Sequence, residues 1–136
     1  MRVAITFMIM SFCLHAESKL NIHKEAMIKG ANGKMKVGQI KLKQLRKKYF
    51  GAPPVQSGWD GSYSEVKKFL KDNANDPSSI SIEGCSSVGV DDKQGWVVGC
   101  TYFGNNAFGG KIKKSNWFII KNGVVTKMYP ANEYKN

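Results

Sequence analysis

From Ser79 onward the chain breaks into short runs rich in β-branched and aromatic residues, and turn-forming residues separate them. The runs are SISIEGCSSV (79–88), GWVVGCTYF (95–103), IKKSNWFII (112–120) and VVTKM (124–128). Asn122-Gly123 joins the last two. It is a strong hairpin signal, because a type I′ turn needs positive φ at both central residues and Asn and Gly reach that region most readily. DDKQG at 91–95 serves the first hairpin. The punctuation predicts a four-stranded antiparallel meander.

Cys85 and Cys100 fall on the first two runs and add a check on the register. With the first hairpin centred between Asp92 and Lys93, Cys85 lies opposite Cys100 and Ile82 opposite Phe103. Antiparallel neighbours are close enough to be bridged, so turn chemistry and cysteine placement agree on one disulfide. Closing a loop of this length contributes about 3 kcal/mol in the chain-entropy account. The alternative is a pair of buried free thiols.

The bond presupposes an oxidising compartment, and the N-terminus supplies a reason for one. Met1-Arg2 is followed by an uncharged apolar run, VAITFMIMSFCL, and then by LHA before the polar ESK. That is the layout of a secretory signal peptide cleaved after Ala16. The run is shorter than the roughly 20 residues of a spanning helix; an uncleaved anchor is the alternative. Bulky Phe12 before Cys13 argues against a lipidated cysteine. Cleavage removes Cys13 and His15, leaving His23 as the single histidine.

Before the strands, Val66, Phe69 and Leu70 share one helical face, with Ser62 or Ser64 as cap and Asp76-Pro77 as stop. The fold class is therefore α+β, one helix followed by the four-stranded meander, with the helix covering one face. NWFII reads as buried on both sides, and the segment before residue 51 is a candidate to cover the second face. GAPPVQSGWDGS (51–62) is a Pro/Gly joint. The expected division is leader 1–16, basic segment 17–50, joint 51–62 and α+β domain 63–136.

Net charge is +11, and it is unevenly spread. Residues 19–48 hold ten Lys or Arg against one acid, Glu25, whereas residues 49–136 hold ten bases against eight acids. Within the basic part, GQIKLKQLRKKYF (38–50) fits an amphipathic helix with Leu42, Leu45 and Tyr49 on one side. Alternation in KMKV and IKLK fits lysine-blunted edge strands, and a solvated or disordered arm is the third reading. If functional, the segment meets an anionic partner.

Gly104–Lys111, GNNAFGGK, imitates a phosphate-binding loop and fails as one. Gly110 stands in the lysine position, Ile112 follows where Ser or Thr is needed, and the next residues read as strand. A phosphate loop works because a helix N-terminus follows it. These residues instead suit a hairpin connection whose tip, Asn105, Asn106 and Phe108 beside Lys111, Lys113 and Lys114, is a second candidate binding edge.

The segments VKKFL, DPSSI, GWVVGCTYFGNNAFGG and WFIIKNGVV also resemble a recurrent module of small exported bacterial proteins of unknown function. In these a helix leads into Asp-Pro-x-Ser, a Gly-Trp-x-Val strand, and an aromatic residue followed by Asn-x-Phe-Gly-Gly. The resemblance covers about residues 63–128. It implies a fold and no catalytic residues, and it leaves the basic segment out.

Catalytic signals are sparse. His23 has only Glu25 as a near neighbour in sequence, Asp91-Asp92 sits in a turn, both cysteines go to the disulfide, and Ser86-Ser87 lack a base. No Cys-x-x-Cys or His pair offers zinc spacing, and no cofactor is expected. The reading is a non-enzymatic exported binding or assembly module of the bacterial envelope. It contacts an envelope protein or anionic envelope surface through residues 19–48, with Lys41, Lys43, Arg46, Lys47 and Lys48 as contact residues. Nucleic acid is disfavoured for an exported chain, and no membrane span is expected in the mature form. The alternative is a periplasmic inhibitor or immunity-type protein acting through Asn105, Asn106 and Phe108 of the 103–111 loop.

Overall fold

Helix α3 (Ser64–Asn73) buries Val66 and Leu70, and its Phe69 meets Phe118 of the sheet edge-on at 6.1 Å, as its apolar spacing requires. It belongs to an α+β protein described by the computed structural model over residues 21–134. The expected leader at 1–16, with Cys13 and His15, lies outside the described residues, as does Lys19.

The expected serine caps are corrected. Tyr63 holds the N-cap position without a side-chain bond. Ser62 instead gives both its backbone N–H (3.0 Å) and its hydroxyl (2.6 Å) to Asp60 Oδ1. Tyr63 is fully buried, and its hydroxyl donates to the Ser86 carbonyl at 2.8 Å. The helix stops ahead of Asp76, and Pro77 opens a 3₁₀ turn, Pro77–Ser79.

The main sheet has five strands rather than four: β3 (Ser81–Cys85), β4 (Gly89–Asp91), β5 (Gly95–Asn105), β6 (Lys111–Lys121) and β7 (Val124–Pro130). The order is β3-β5-β6-β7, with β4 pairing β5 as well, all antiparallel. The first sequence run thus holds β3, and β4 follows it just before the turn, the two lying on one edge of β5. Val90 faces Trp96, and Ser86 then fills the gap by donating to the Gly99 carbonyl at 2.7 Å while its hydroxyl accepts the Gly99 N–H at 2.9 Å. The turn is centred on Lys93, with Asp91 opposite Gly95, and not between Asp92 and Lys93 as expected. The break at Ser86 shifts the register by one, so pairing resumes with Cys85 opposite Cys100, as expected, and the two form a disulfide with Cα atoms 4.1 Å apart. A bulge between Ile82 and Gly84 shifts the register again. Ile82 therefore faces Tyr102, not Phe103. The Asn122-Gly123 turn has the two positive φ values a type I′ hairpin demands, 54° and 78°.

From Asn21 onward the basic segment is folded, so these residues are not a solvated arm. Asn21 caps the short helix α1 (Ile22–Glu25) through a bond from the Lys24 amide, 3.0 Å. Strands β1 (Met27–Lys29) and β2 (Met35–Val37) form a separate hairpin, and helix α2 (Gln39–Phe50) follows. KMKV supplies β2 as the strand reading expects, whereas IKLK is no edge strand and lies in α2, as the helix reading of 38–50 expects.

Residues 51–62 form the expected turn-rich connection, but the core runs across it. Ile22, Ala26, Leu42 and Phe50 are buried in one cluster with Trp96, Val98, Phe118 and Ile120, and Phe50 meets Trp96 edge-on at 6.2 Å. Gly51 ends α2 with φ +78° against the Asn122-Gly123 turn, where a Cβ would lie 2.9 Å from Asn122 Oδ1. Asn122 N–H closes the junction by donating to the Phe50 carbonyl at 2.7 Å.

Strand alternation puts α2 and α3 on the same face of the sheet, that of Trp96, Val98, Cys100 and Tyr102. The described part of the segment before residue 51, residues 21–50, therefore does not cover the second face as expected. Val97 and Ile119 are buried on that side. Trp117 lies over Gly99, where a Cβ would come within 2.8 Å of its ring. Tyr134 continues the aromatic row between Trp117 (6.0 Å) and Tyr129 (5.0 Å).

Candidate functional site

Helix α2 has two unlike faces. Leu42 and Phe50 are buried and Leu45 and Tyr49 pack against the core, so the apolar side is consumed inside the molecule. Lys41, Lys43, Lys47 and Lys48 are exposed on the outer side. Among the described residues, no carboxylate lies in salt-bridge reach of these four. Lys48 rests over the Tyr49 ring at 5.3 Å. The β1–β2 hairpin adds exposed Lys29, Lys34 and Lys36, and exposed Ile40 marks the start of the helix.

Arg46, expected among the contact residues, is committed inward. Its Nε donates to Asp92 Oδ1 at 2.7 Å and its Nη2 to Oδ2 at 2.8 Å, a two-pronged ion pair of the strong type. His23 Nε2 lies 2.5 Å from the same Oδ2. The Arg46 bond, then that of His23, hold the Asp92 carboxyl below its ordinary range against the opposing effect of burial. The same bond raises Arg46. Sequence reasoning missed this cluster, since Asp92 is 46 residues from Arg46 and 69 from His23.

The neighbouring Asp91 does serve the turn. It accepts the Lys93 amide at 2.9 Å, Gln94 Nε2 at 2.9 Å and the Tyr134 hydroxyl at 2.8 Å. Burial pushes its carboxyl up, but these bonds outweigh it and the net shift is downward. Burial and then Asp91 raise Tyr134.

His23 with Asp92 has the geometry of an oriented base, yet no described hydroxyl or thiol is hydrogen-bonded to the ring, and Arg46 takes the other carboxylate oxygen. Among the described residues no group of three or more His, Cys, Asp and Glu is placed to hold a metal ion. No helix among them is long and apolar enough to cross a membrane.

A hollow of about 400 Å³ lies beside α2, lined by Lys43, Gln44, Arg46, Lys47, Pro53 and Trp96. The indole Nε1 of Trp96 donates to the Gly51 carbonyl at 3.3 Å. This pocket joins the lysine face to an aromatic side chain of the core, and sequence spacing gave no hint of it.

Of the expected 103–111 loop, residues 106–110 are the hairpin connection, since β5 runs through Asn105 and strand β6, not a helix, begins at Lys111. Asn106 builds it: Oδ1 accepts the Phe108 and Gly110 amides at 2.9 Å each, and the Asn106 N–H donates to the Gly110 carbonyl at 2.8 Å. Asn105 is likewise used inside, its N–H donating to Ser79 Oγ at 2.9 Å and its Nδ2 to Asp76 Oδ2 at 3.1 Å. Of the three expected tip residues Phe108 alone is presented to solvent, 97% exposed. Lys111 and Lys113 lie over the Phe103 ring at 4.7 and 5.7 Å. No family model, curated protein or solved structure matches the chain.

Proposed function

We propose that the protein is an exported, non-enzymatic binding or assembly component of the bacterial envelope, and that residues 19–48 contact an anionic envelope protein or surface. The observation that carries this reading is the division of α2 between a face spent in the core and a face of Lys41, Lys43, Lys47 and Lys48 without described carboxylate partners. Charges held on a folded helix lose less freedom on binding than charges on a solvated arm. Burial of Leu42 and Phe50 removes the apolar stripe an inserting amphipathic helix would use, so the lysines act at a surface. Export is supported by the leader-like composition of residues 1–16 and by the Cys85–Cys100 disulfide, a bond that persists in oxidising compartments.

The test is affinity capture from the envelope fraction at low and moderate salt, comparing the chain with Lys41, Lys43, Lys47 and Lys48 all changed to Gln. Deletion of the segment is a poor comparison, because it also removes Ile22, Ala26 and Leu42 from the core. Material held by the parent at low salt and lost with either salt or the substitutions supports the reading. Equal capture by both proteins contradicts it.

One observation favours a second reading, an inhibitor or immunity-type protein acting through the loop: Phe108 is fully presented on a turn that Asn106 holds in one shape. Phe108→Ala then abolishes capture of a specific enzyme without disturbing the fold. Asn106→Ala disturbs the turn itself and does not isolate the contact.

A further inference from the structure

The hollow beside α2 combines two properties that neither a plain cation patch nor a plain apolar crevice has. Pro53, Trp96 and the aliphatic stems of α2 make its lining predominantly apolar, and its volume of about 400 Å³ falls within the range of small-molecule sites. Trp96 is 9% exposed, fixed by its bond to Gly51 and by the edge of Phe50. Its ring thus offers a preformed apolar surface.

The rim is cationic. Lys43 and Lys47 stand one helical turn apart, so their side chains converge on one rim. Arg46 between them is oriented by Asp92, which fixes the guanidinium before any ligand arrives. Three cations against the single Asp92 carboxylate leave the rim positive, and that carboxylate is also shared with His23.

A neutral apolar guest would leave Lys43 and Lys47 without counter-charge, and an inorganic anion would leave the Trp96 surface wet. We propose that this hollow binds an amphipathic anion, its phosphate or carboxylate head between Lys43 and Lys47 and its apolar portion against Trp96 and Pro53. This deepens the function proposed above by assigning a ligand class to one part of the same helix face, and it rests on that reading. The same chemistry is available from a lipid headgroup with its proximal chain or from a free acyl or alkyl anion.

The test uses the disulfide-intact chain and octyl phosphate below its micellar concentration, followed by calorimetry. Inorganic phosphate and octyl glucoside supply the charge and the chain separately. Expected is saturable one-to-one binding of octyl phosphate, at least about tenfold tighter than either control, and a loss of about tenfold or more in the Lys43→Gln, Lys47→Gln double variant. Lengthening the chain from butyl to octyl strengthens binding by up to about fourfold per methylene while the hollow has room. A second readout is the emission of Trp96 alone, in a chain with Trp59→Phe and Trp117→Phe, which shifts with the same midpoint.

Vesicles of phosphatidylglycerol against phosphatidylcholine separate the sources. A Trp96 shift on the anionic vesicles assigns the ligand to a bilayer lipid, and a shift with monomeric octyl phosphate alone assigns it to a free amphiphile. Equal affinity for octyl glucoside, or octyl phosphate binding unchanged by the double substitution, overturns the proposal, as does absence of saturation. Salt-dependent binding to anionic vesicles that survives such a result through Lys41 and Lys48 leaves the wider basic face standing without this pocket.

Discussion

Asp92 shows how one side chain links the turn of a hairpin to a helix far away in sequence. Its two oxygens bind Arg46 and its Oδ2 is shared with His23, so α1 and α2 are both fastened to the β4–β5 turn by one carboxylate. Asp92 and Arg46 have side-chain exposures of 16% and 24%, which places the pair between a surface ion pair and a buried one. Asp92→Asn is expected to cost about 1–2 kcal/mol, measured by denaturant unfolding. The folded-state pKa of Asp92 is depressed, so its contribution is full above the ordinary value of 3.8 and is lost as pH falls from there through the lowered folded value. The parent's melting temperature therefore falls on acidification below that point, and the Asp92→Asn variant shows a shallower fall. An acid limb equally steep in both proteins rules Asp92 out as a source of the acid sensitivity. Asp91 adds to the same limb in both, since its carboxyl is also lowered.

Among the elements, β5, β6 and β7 were the most legible in sequence. Asn122-Gly123 needs no tertiary help to specify its turn, and the paired cysteines report their own register. The break between β3 and β4 was not legible, because Ser86 bridging to both polar groups of Gly99 becomes possible only once β5 is in place. For α2 the sequence allowed helix, strand or arm. Alternating Lys residues mask its apolar side, and what decides is the burial of Leu42 and Phe50 beside Trp96. The lysines of the candidate face could be named from composition, but Arg46's partner, the hollow over Trp96 and the inward use of Asn105 all depend on long-range placement. At this scale the disulfide is the simplest element to remove. Joint replacement of Cys85 and Cys100 by Ser is expected to lower stability by about 3 kcal/mol, read as an earlier unfolding midpoint. Identical unfolding curves under reducing and oxidising conditions contradict the staple's energetic role.

For the whole molecule, the basic segment is structural and charged at once. Removing residues up to 50 takes Ile22, Leu42 and Phe50 out of the core, each worth about 1.5–3 kcal/mol of burial. That sum is comparable with the whole net stability of a small domain, about 5–15 kcal/mol. A chain beginning at Gly51 is accordingly expected to lose its cooperative thermal transition by circular dichroism. Retention of a sharp transition contradicts a core shared across residues 51–62. The excess charge is therefore carried on a scaffold the rest of the protein needs, so charge and fold must be separated by substitution and not by truncation.

Docking through the α2 face is read from the affinity of the folded chain for phosphatidylglycerol vesicles as a function of salt, with and without Lys41, Lys43, Lys47 and Lys48 changed to Gln. Each lysine near an anionic surface contributes about 1 kcal/mol. Expected are steep weakening of the parent with salt, a loss of about a thousandfold in affinity at low salt in the quadruple variant, and an unaltered melting temperature. Parent and variant binding alike, with the same salt dependence, contradicts the assignment of the α2 face as the anionic docking surface.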